Sequence, residues 1–303
     1  MNNRSMFPLI GILVVIGAII GGFLMEHGKL MVLVQPAELV IIGGAAVGTM
    51  LIANPVSVIQ RILRAGLKPF TSKTYGKAFY LDTLRMLSEL FMRARKGGLS
   101  SLEADVDTPD KSPVFTKYPD FAKNHHALFF ICDTLRMAVT GGVSHHELDQ
   151  MMELDLEVHH HEVNVPVNAL TTIADSLPGL GIVAAVLGVV ITMGALGGPP
   201  EEIGHKVAAA LVGTFLGILL CYGFVAPLAA NMAKGNDAES QYYHCLRTGI
   251  IAFVRGAAPM LAVEFARRTI PAELRPTFQE MEGACRNAGK AQAPAAAAPA
   301  KAA

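Results

Sequence analysis

The sequence predicts an all-α integral membrane protein with four transmembrane helices, a helical cytoplasmic domain inserted between spans two and three, and a cytoplasmic helical tail after span four. Three observations predict it. Of 303 residues, 52% are hydrophobic and only 17% are charged, a balance unlike that of a water-soluble domain. Four apolar stretches, residues 6–25, 32–53, 169–196 and 207–230, reach the roughly 20 helical residues needed to cross a hydrocarbon core of about 30 Å. The basic residues are one-sided: the turn after the first stretch holds only Lys29, and the turn after the third holds Glu201, Glu202 and, at its far edge, Lys206. The other side, which carries the remaining Lys and Arg, is therefore cytoplasmic, and both termini lie there.

The elements follow in order. Span one is long, lacks an Ala-x-Ala cleavage site and runs straight into span two, so it reads as a retained helix and not as a signal peptide. Span two opens on Gln35 and Pro36, with Glu38 in its first turn, where an acid suits the helix dipole at the outer interface. Residues 1–53 thus form a hairpin, and residues 54–168 form the insert. Inside the insert, Tyr80, Leu84, Leu87 and Phe91 recur at helical spacing until Gly97 and Gly98 stop the helix. A second helix is expected over residues 120–139, ending at Gly141 and Gly142; Ser144 and Glu147 then make a capping box that opens an acidic helix. Residues 169–232 form the second hairpin and 233–287 a tail that is helical over 237–256. The Ala, Pro and Lys run over 288–303 cannot build a core and reads as disordered.

The chemistry sits in spans three and four. Gly181, Ala184, Ala185 and Gly188 form a stripe that admits a closely packed helix; Gly213, Thr214 and Gly217 do the same on span four, and Gly17 with Gly21 and Gly44 with Gly48 on spans one and two. Such stripes serve either packing within the subunit or the docking of another chain. Pro178 frees the carbonyl of Ala174 and Pro227 that of Gly223, which in a membrane points to a wet path, a hinge, or a plain kink. Asp175, near the inner end of span three, reads equally as a helix N-cap or as a proton-handling group. No acid lies at mid-bilayer, so a proton crossing here needs a carboxylate from another chain, for whose helix the span-three stripe leaves room.

Other classes find little support. The net charge is zero with basic residues dispersed, which removes a nucleic-acid binder. Cys132, Cys221, Cys245 and Cys285 have no metal-ligand spacing and read as packing residues; the clusters His125–His126, His145–His146 and His159–His161 lack any HExxH-like pattern. No cofactor, metal or enzymatic activity is expected.

Several strings resemble the MotA family of flagellar stator subunits, within the MotA/TolQ/ExbB proton channels. They are Gln-Pro-Ala-Glu-Leu-Val-Ile-Ile at 35–42, Asp-Ser-Leu-Pro-Gly-Leu-Gly-Ile-Val-Ala-Ala-Val at 175–186 and Val-Gly-Thr-Phe-Leu-Gly-Ile-Leu-Leu at 212–220, joined by Tyr222-Gly223-Phe224, Pro227 and Ala262-Val263-Glu264-Phe265. The similarity runs from span one to about residue 282. It implies a bacterial inner-membrane protein that self-associates as a pentamer around a MotB dimer, whose helices supply the proton-accepting aspartate. It further implies that Pro178 and Pro227 couple ion passage to conformational change, and that the Thr214 hydroxyl faces the pore unless it bonds back to its own helix. Arg95 and Glu103 match the pair that engages the rotor protein FliG; taken alone, Arg95 also suits a helix C-terminus and Ser100 with Glu103 a capping box. Sodium-type relatives such as PomA carry a threonine where this chain has Ala185, so Ala185 favours protons. The nearest rival is a TolQ- or ExbB-type transducer, whose three-span arrangement fits the four spans poorly; a self-sufficient transporter is more remote.

Overall fold

A computed structural model describes residues 3–66, 75–194 and 196–290, and within them the chain is all-helical. Four helical segments are long and apolar enough to cross a membrane. In chain order the helices are α1 (Asn3–Met25), α2 (Leu30–Leu33), α3 (Pro36–Ala53), α4 (Val56–Ala65), α5 (Lys77–Gly97), α6 (Glu103–Asp107), α7 (Pro119–Ala122), α8 (His125–Thr140), α9 (His145–Met193), α10 (Pro200–Ile218), α11 (Ala226–Val254), α12 (Pro259–Thr269) and α13 (Phe278–Lys290). A π-helical turn, Leu219–Val225, joins α10 to α11.

Local chemistry sets these boundaries and revises several expected from the sequence. Span two is not one helix: Pro36 has no N–H and disfavours helical backbone at Gln35, so α2 stops at Leu33 and α3 restarts with Pro36 in its first turn. The expected helix over 120–139 is likewise two, because the Asn124 side chain accepts from the Ala127 N–H and caps a fresh start at His125. At α9 the capping box forms as expected, with Ser144 N–H donating to Glu147 and Glu147 N–H to Ser144 Oγ at 2.8 and 3.2 Å. The helix it opens does not end before span three; α9 is one helix of 49 residues that contains the span. The fourth span is also part of a longer run, since α11 runs unbroken from Ala226 to Val254 and takes in most of the stretch 237–256 expected to be helical. α13 extends to Lys290, past the expected onset of disorder at 288, while residues 291–303 lie outside the described residues.

The chain divides into two compact units, each built from two separated segments. One comprises Met1–Thr74 and His161–Asn236. Its centre is the crossing of α9 and α10, where Ala174, Leu177, Gly181 and Ala184 present one buried face. Only glycines allow so close an approach: a Cβ on Gly217 would lie 2.6 Å from the Leu177 carbonyl oxygen, and one on Gly181 would lie 2.9 Å from that of Gly213. α3 lies against α10 and buries Glu38, Ile42 and Ala46. On α1, by contrast, Phe7, Leu13, Val14 and Met25 are exposed, as a lipid-facing or partner-facing helix would leave them.

The other unit comprises Tyr75–His160 and Asp237–Ala303. Tyr80, Leu84, Leu87 and Phe91 are fully buried, so the helical spacing identified the core face of α5. That face meets Tyr242, Leu246 and Ile250 of α11; the Thr83 and Tyr242 hydroxyls are hydrogen-bonded at 3.2 Å, and Phe91 stacks on Phe253 with ring centroids 4.4 Å apart. Cys132, Cys245 and Cys285 are buried here, and burial pushes the Cys132 and Cys245 thiols up to about 12, which keeps them protonated. α13 docks on α5, with Lys77 bound to Glu280 at 2.8 Å and a Thr277–Glu280 capping box at its start.

Candidate functional site

The residues singled out from the sequence fall into two groups. Pro178, Ala185, Asp175, Thr214 and Pro227 belong to the unit that holds the α9–α10 crossing; Arg95 and Glu103 belong to the other.

In the first group, Pro178 lies inside α9, one residue after the buried Leu177. Its missing N–H leaves the Ala174 carbonyl without its usual partner, and the nearby Ser176 hydroxyl donates to Ile173 instead, at 2.7 Å. Pro227 follows the π turn, in which the Ala226 N–H reaches back five residues to Cys221. The donor that Pro227 lacks would close the bond to Gly223, so the change of helical register and the proline form a single defect. α9 holds a second interior proline, Pro166, which sequence inspection passed over because the helix was expected to begin after it. Near it the buried Asn236 donates to the Val163 carbonyl at 2.8 Å and to Asn164 at 3.0 Å, a polar clamp between helices that no motif announced.

Thr214 is half-buried on α10, and its hydroxyl has no hydrogen-bond partner among the described residues. Thr171, Thr172 and Thr192 of α9 each donate to the carbonyl four residues back. Thr214 does not, so the self-bonded alternative falls away. Ala185 is half-buried next to Ala184, whose Cβ lies 3.1 Å from where a Cβ on Gly213 would be. Asp175 is not a helix cap: α9 is continuous through it, and capping requires a non-helical residue at a helix start. Its carboxylate lies on an exposed face of α9.

One further expectation is corrected. The small-residue stripe of span three is not room left for another chain, because α10 fills it through the Gly181–Gly217 and Gly188–Ala210 contacts. Gly17, Gly21, Gly44 and Gly48, the small pairs of spans one and two, have nothing within 4 Å of an added Cβ. Glu38 is in the first turn of α3 as expected and is also buried, with only 6% of its surface exposed and its Oε2 unpartnered among the described residues. Sequence placed it correctly in the first turn of α3 but carried no sign of the neighbour that covers it.

In the second group, Arg95 is exposed in the last turn of α5 and lines a shallow hollow with Gly98, Leu99 and Phe253. Glu103 is exposed as the first residue of α6. Gly98 turns the chain between them at φ 78°, a conformation other residues rarely adopt. The Ser100–Glu103 capping box does not form, because a 3₁₀ turn over Leu99–Leu102 puts Leu102 at the cap position, and Ser101 Oγ donates to Gly98 at 2.7 Å instead. Arg93 and the buried Asp105, 3.0 Å apart and braced by Ser112, fix the two helix ends. Arg95 and Glu103 make no ion pair or hydrogen bond among the described residues, which leaves a cation and an anion presented on a rigid corner.

Comparison with known proteins places this geometry. The profile of the Motility protein A N-terminal family matches residues 9–98, and that of the MotA/TolQ/ExbB proton channel family matches residues 123–244. Motility protein A of Escherichia coli K12 is 42% identical over 277 residues, covering 91% of this chain and 94% of the relative. Chemotaxis protein LafT of Vibrio parahaemolyticus is 35% identical over 277 residues, with 91% and 97% covered. Among solved structures, the flagellar MotAB stator complex from Bacillus subtilis has a chain with a TM-score of 0.72 and 24% identity, and the C. jejuni MotAB structure one with 0.74 and 16%; each alignment covers 88% of this chain and 96% of the other. At those identities the two structures speak for the fold.

Proposed function

As the chain belongs to the motility protein A family, within the MotA/TolQ/ExbB proton channels, we propose that it is a flagellar stator subunit that conducts protons together with MotB and turns their flow into torque on FliG. The observation that carries the proposal lies in α9 and α10 and the turn after them: two interrupted backbone ladders, at Pro178 and Pro227, and one unbonded hydroxyl, Thr214, within a closely packed pair of membrane helices.

The chain is a multi-pass membrane protein. In the proposed arrangement it sits in the bacterial inner membrane with both termini and the 54–168 insert in the cytoplasm, and five copies surround two MotB helices. MotB brings a carboxylate; when that group is protonated a buried charge disappears, and the packing around α9 and α10 relaxes to a second arrangement. A proton moving down a potential of 100 mV supplies about 2.3 kcal/mol, enough to bias a helical pair with two close-lying packings. Backbone freed of its α-register bond at Pro178 and Pro227 gives that pair its hinges. Ala185, lacking a ligand oxygen, suits a path for protons and not for sodium shedding its water. Arg95 and Glu103, fixed in place yet unpaired, are the groups that push on opposite charges of the rotor.

The test is charge reversal. Arg95→Glu is expected to reduce swimming severely while leaving the subunit in the membrane, because Arg95 is exposed and bonded to none of the described residues. A complementary reversal on FliG should restore motility; full swimming by Arg95→Glu alone would refute the rotor contact.

A further inference from the structure

The mechanism above borrows its carboxylate from a partner, yet the folded chain buries one of its own among the membrane helices. Glu38 stands in the first turn of α3 with 6% of its surface exposed, and its Oε2 has no hydrogen-bond partner among the described residues. Its position is defined from three helices at once. A Cβ built on Gly213 of α10 would meet Glu38 Oε2 at 2.7 Å, the Ala184 Cβ of α9 at 3.1 Å and the Ala185 N at 3.2 Å. The carboxyl therefore occupies the space that a side chain at 213 would take, at the point where α3, α9 and α10 converge. The next residue on α10 is Thr214, whose hydroxyl is unbonded. Among the described residues no charged group pairs with Glu38: Lys206, on the same helix as Gly213 and nearer its start, is held by Glu202 at 2.9 Å.

The carboxyl sits among Gly213, Ala184 and Ala185, which offer it no side-chain donor. A purely structural carboxyl is normally bonded through both oxygens, whereas one oxygen left open suits an acid that takes up and gives up a proton.

We propose that Glu38 is a proton-exchanging carboxyl on the ion path of this subunit. It takes a proton from hydronium arriving at the outer side, leaving water, and releases it inward past Thr214 toward the partner's acid, returning to carboxylate; no other bond changes. The inference rests on the conduction mechanism, and its test separates the two. Proton flux is measured in vesicles holding the chain with its B-type partner. Glu38→Gln keeps the shape and polarity of the side chain but cannot exchange, and is expected to lower flux about tenfold or more while remaining assembled with the partner. Glu38→Asp should retain part of the flux. Wild-type flux in the Gln variant would overturn the role of Glu38, whereas no flux from the wild-type complex would overturn conduction itself. Infrared difference spectra of the wild-type complex under a step in outer pH supply a readout that a purely structural role would not move. A protonated-carboxyl band that responds to the step and shifts in Glu38→Asp is expected, and a Glu38 band indifferent to outer pH would refute the proposal even if the Gln variant fails to accumulate.

Discussion

Thr214 differs from its neighbouring threonines in one hydrogen bond. Where Thr171, Thr172 and Thr192 spend their hydroxyls on their own helix, Thr214 keeps a donor and two lone pairs for whatever passes beside it. Thr214→Val, which keeps the branched shape, is therefore expected to lower proton flux several-fold with little change in the amount of subunit in the membrane, and Thr214→Ser to recover most of it; an unchanged flux in the valine variant would remove Thr214 from the path. Much at this scale was legible in advance. Buried Tyr80, Leu84, Leu87 and Phe91 announced themselves by period, and the cysteines by their lack of any ligand spacing. Glu38 and Asn236 did not, because what makes them unusual is a neighbour from a distant part of the chain: Gly213 for the one, Val163 and Asn164 for the other.

Among the elements, α9 and α10 owe their closeness to atoms that are missing. A Cβ at 217 would press on backbone, 2.6 Å from a carbonyl oxygen and 2.8 Å from the Cα of Gly181, and neither can swing aside as a side-chain tip would. Gly217→Ala should thus destabilise the chain by about 1–3 kcal/mol, read as a lowered Tm of the detergent-solubilised protein, whereas Gly44→Ala, with open space around it, should leave Tm unchanged. Equal effects from the two would mean that the crossing is not limited by the glycines. The four spans were legible from apolar length, and the glycine stops from composition. The ends of the long helices were not, since hydropathy changes where the chain leaves the apolar layer while the helix itself continues unbroken. Asp175 was assigned a possible cap for that reason: an acid before a proline looks like a helix start until the preceding thirty residues are seen to be helical already. The filled stripe on span three is a further case, because small residues at helical spacing signal a close neighbour without saying which helix it is.

For the whole molecule, coupling-ion choice is the property most open to measurement. If protons drive the motor, swimming speed should stay level as sodium is varied at constant ionic strength and collapse when a proton uncoupler is added; speed that rises with sodium would shift the assignment away from protons despite Ala185. The division into two units was only partly legible. The insert was visible as a polar interval between spans, but the fact that its core is completed by Tyr242, Tyr243, Leu246 and Phe253 depends on pairing residues such as Thr83 and Tyr242, 159 positions apart, which local pattern does not encode. That interleaving has a consequence for the order of events during synthesis. The ribosome releases α5 long before it makes α11, and α11 can reach α5 only after the last two spans have been delivered to the bilayer. Until then the aromatic face of α5 stays uncovered and in need of protection by other proteins. The part proposed to touch the rotor is therefore the last to mature, and a chain arrested before residue 237 would leave the ribosome with its membrane helices complete and its arm unable to fold.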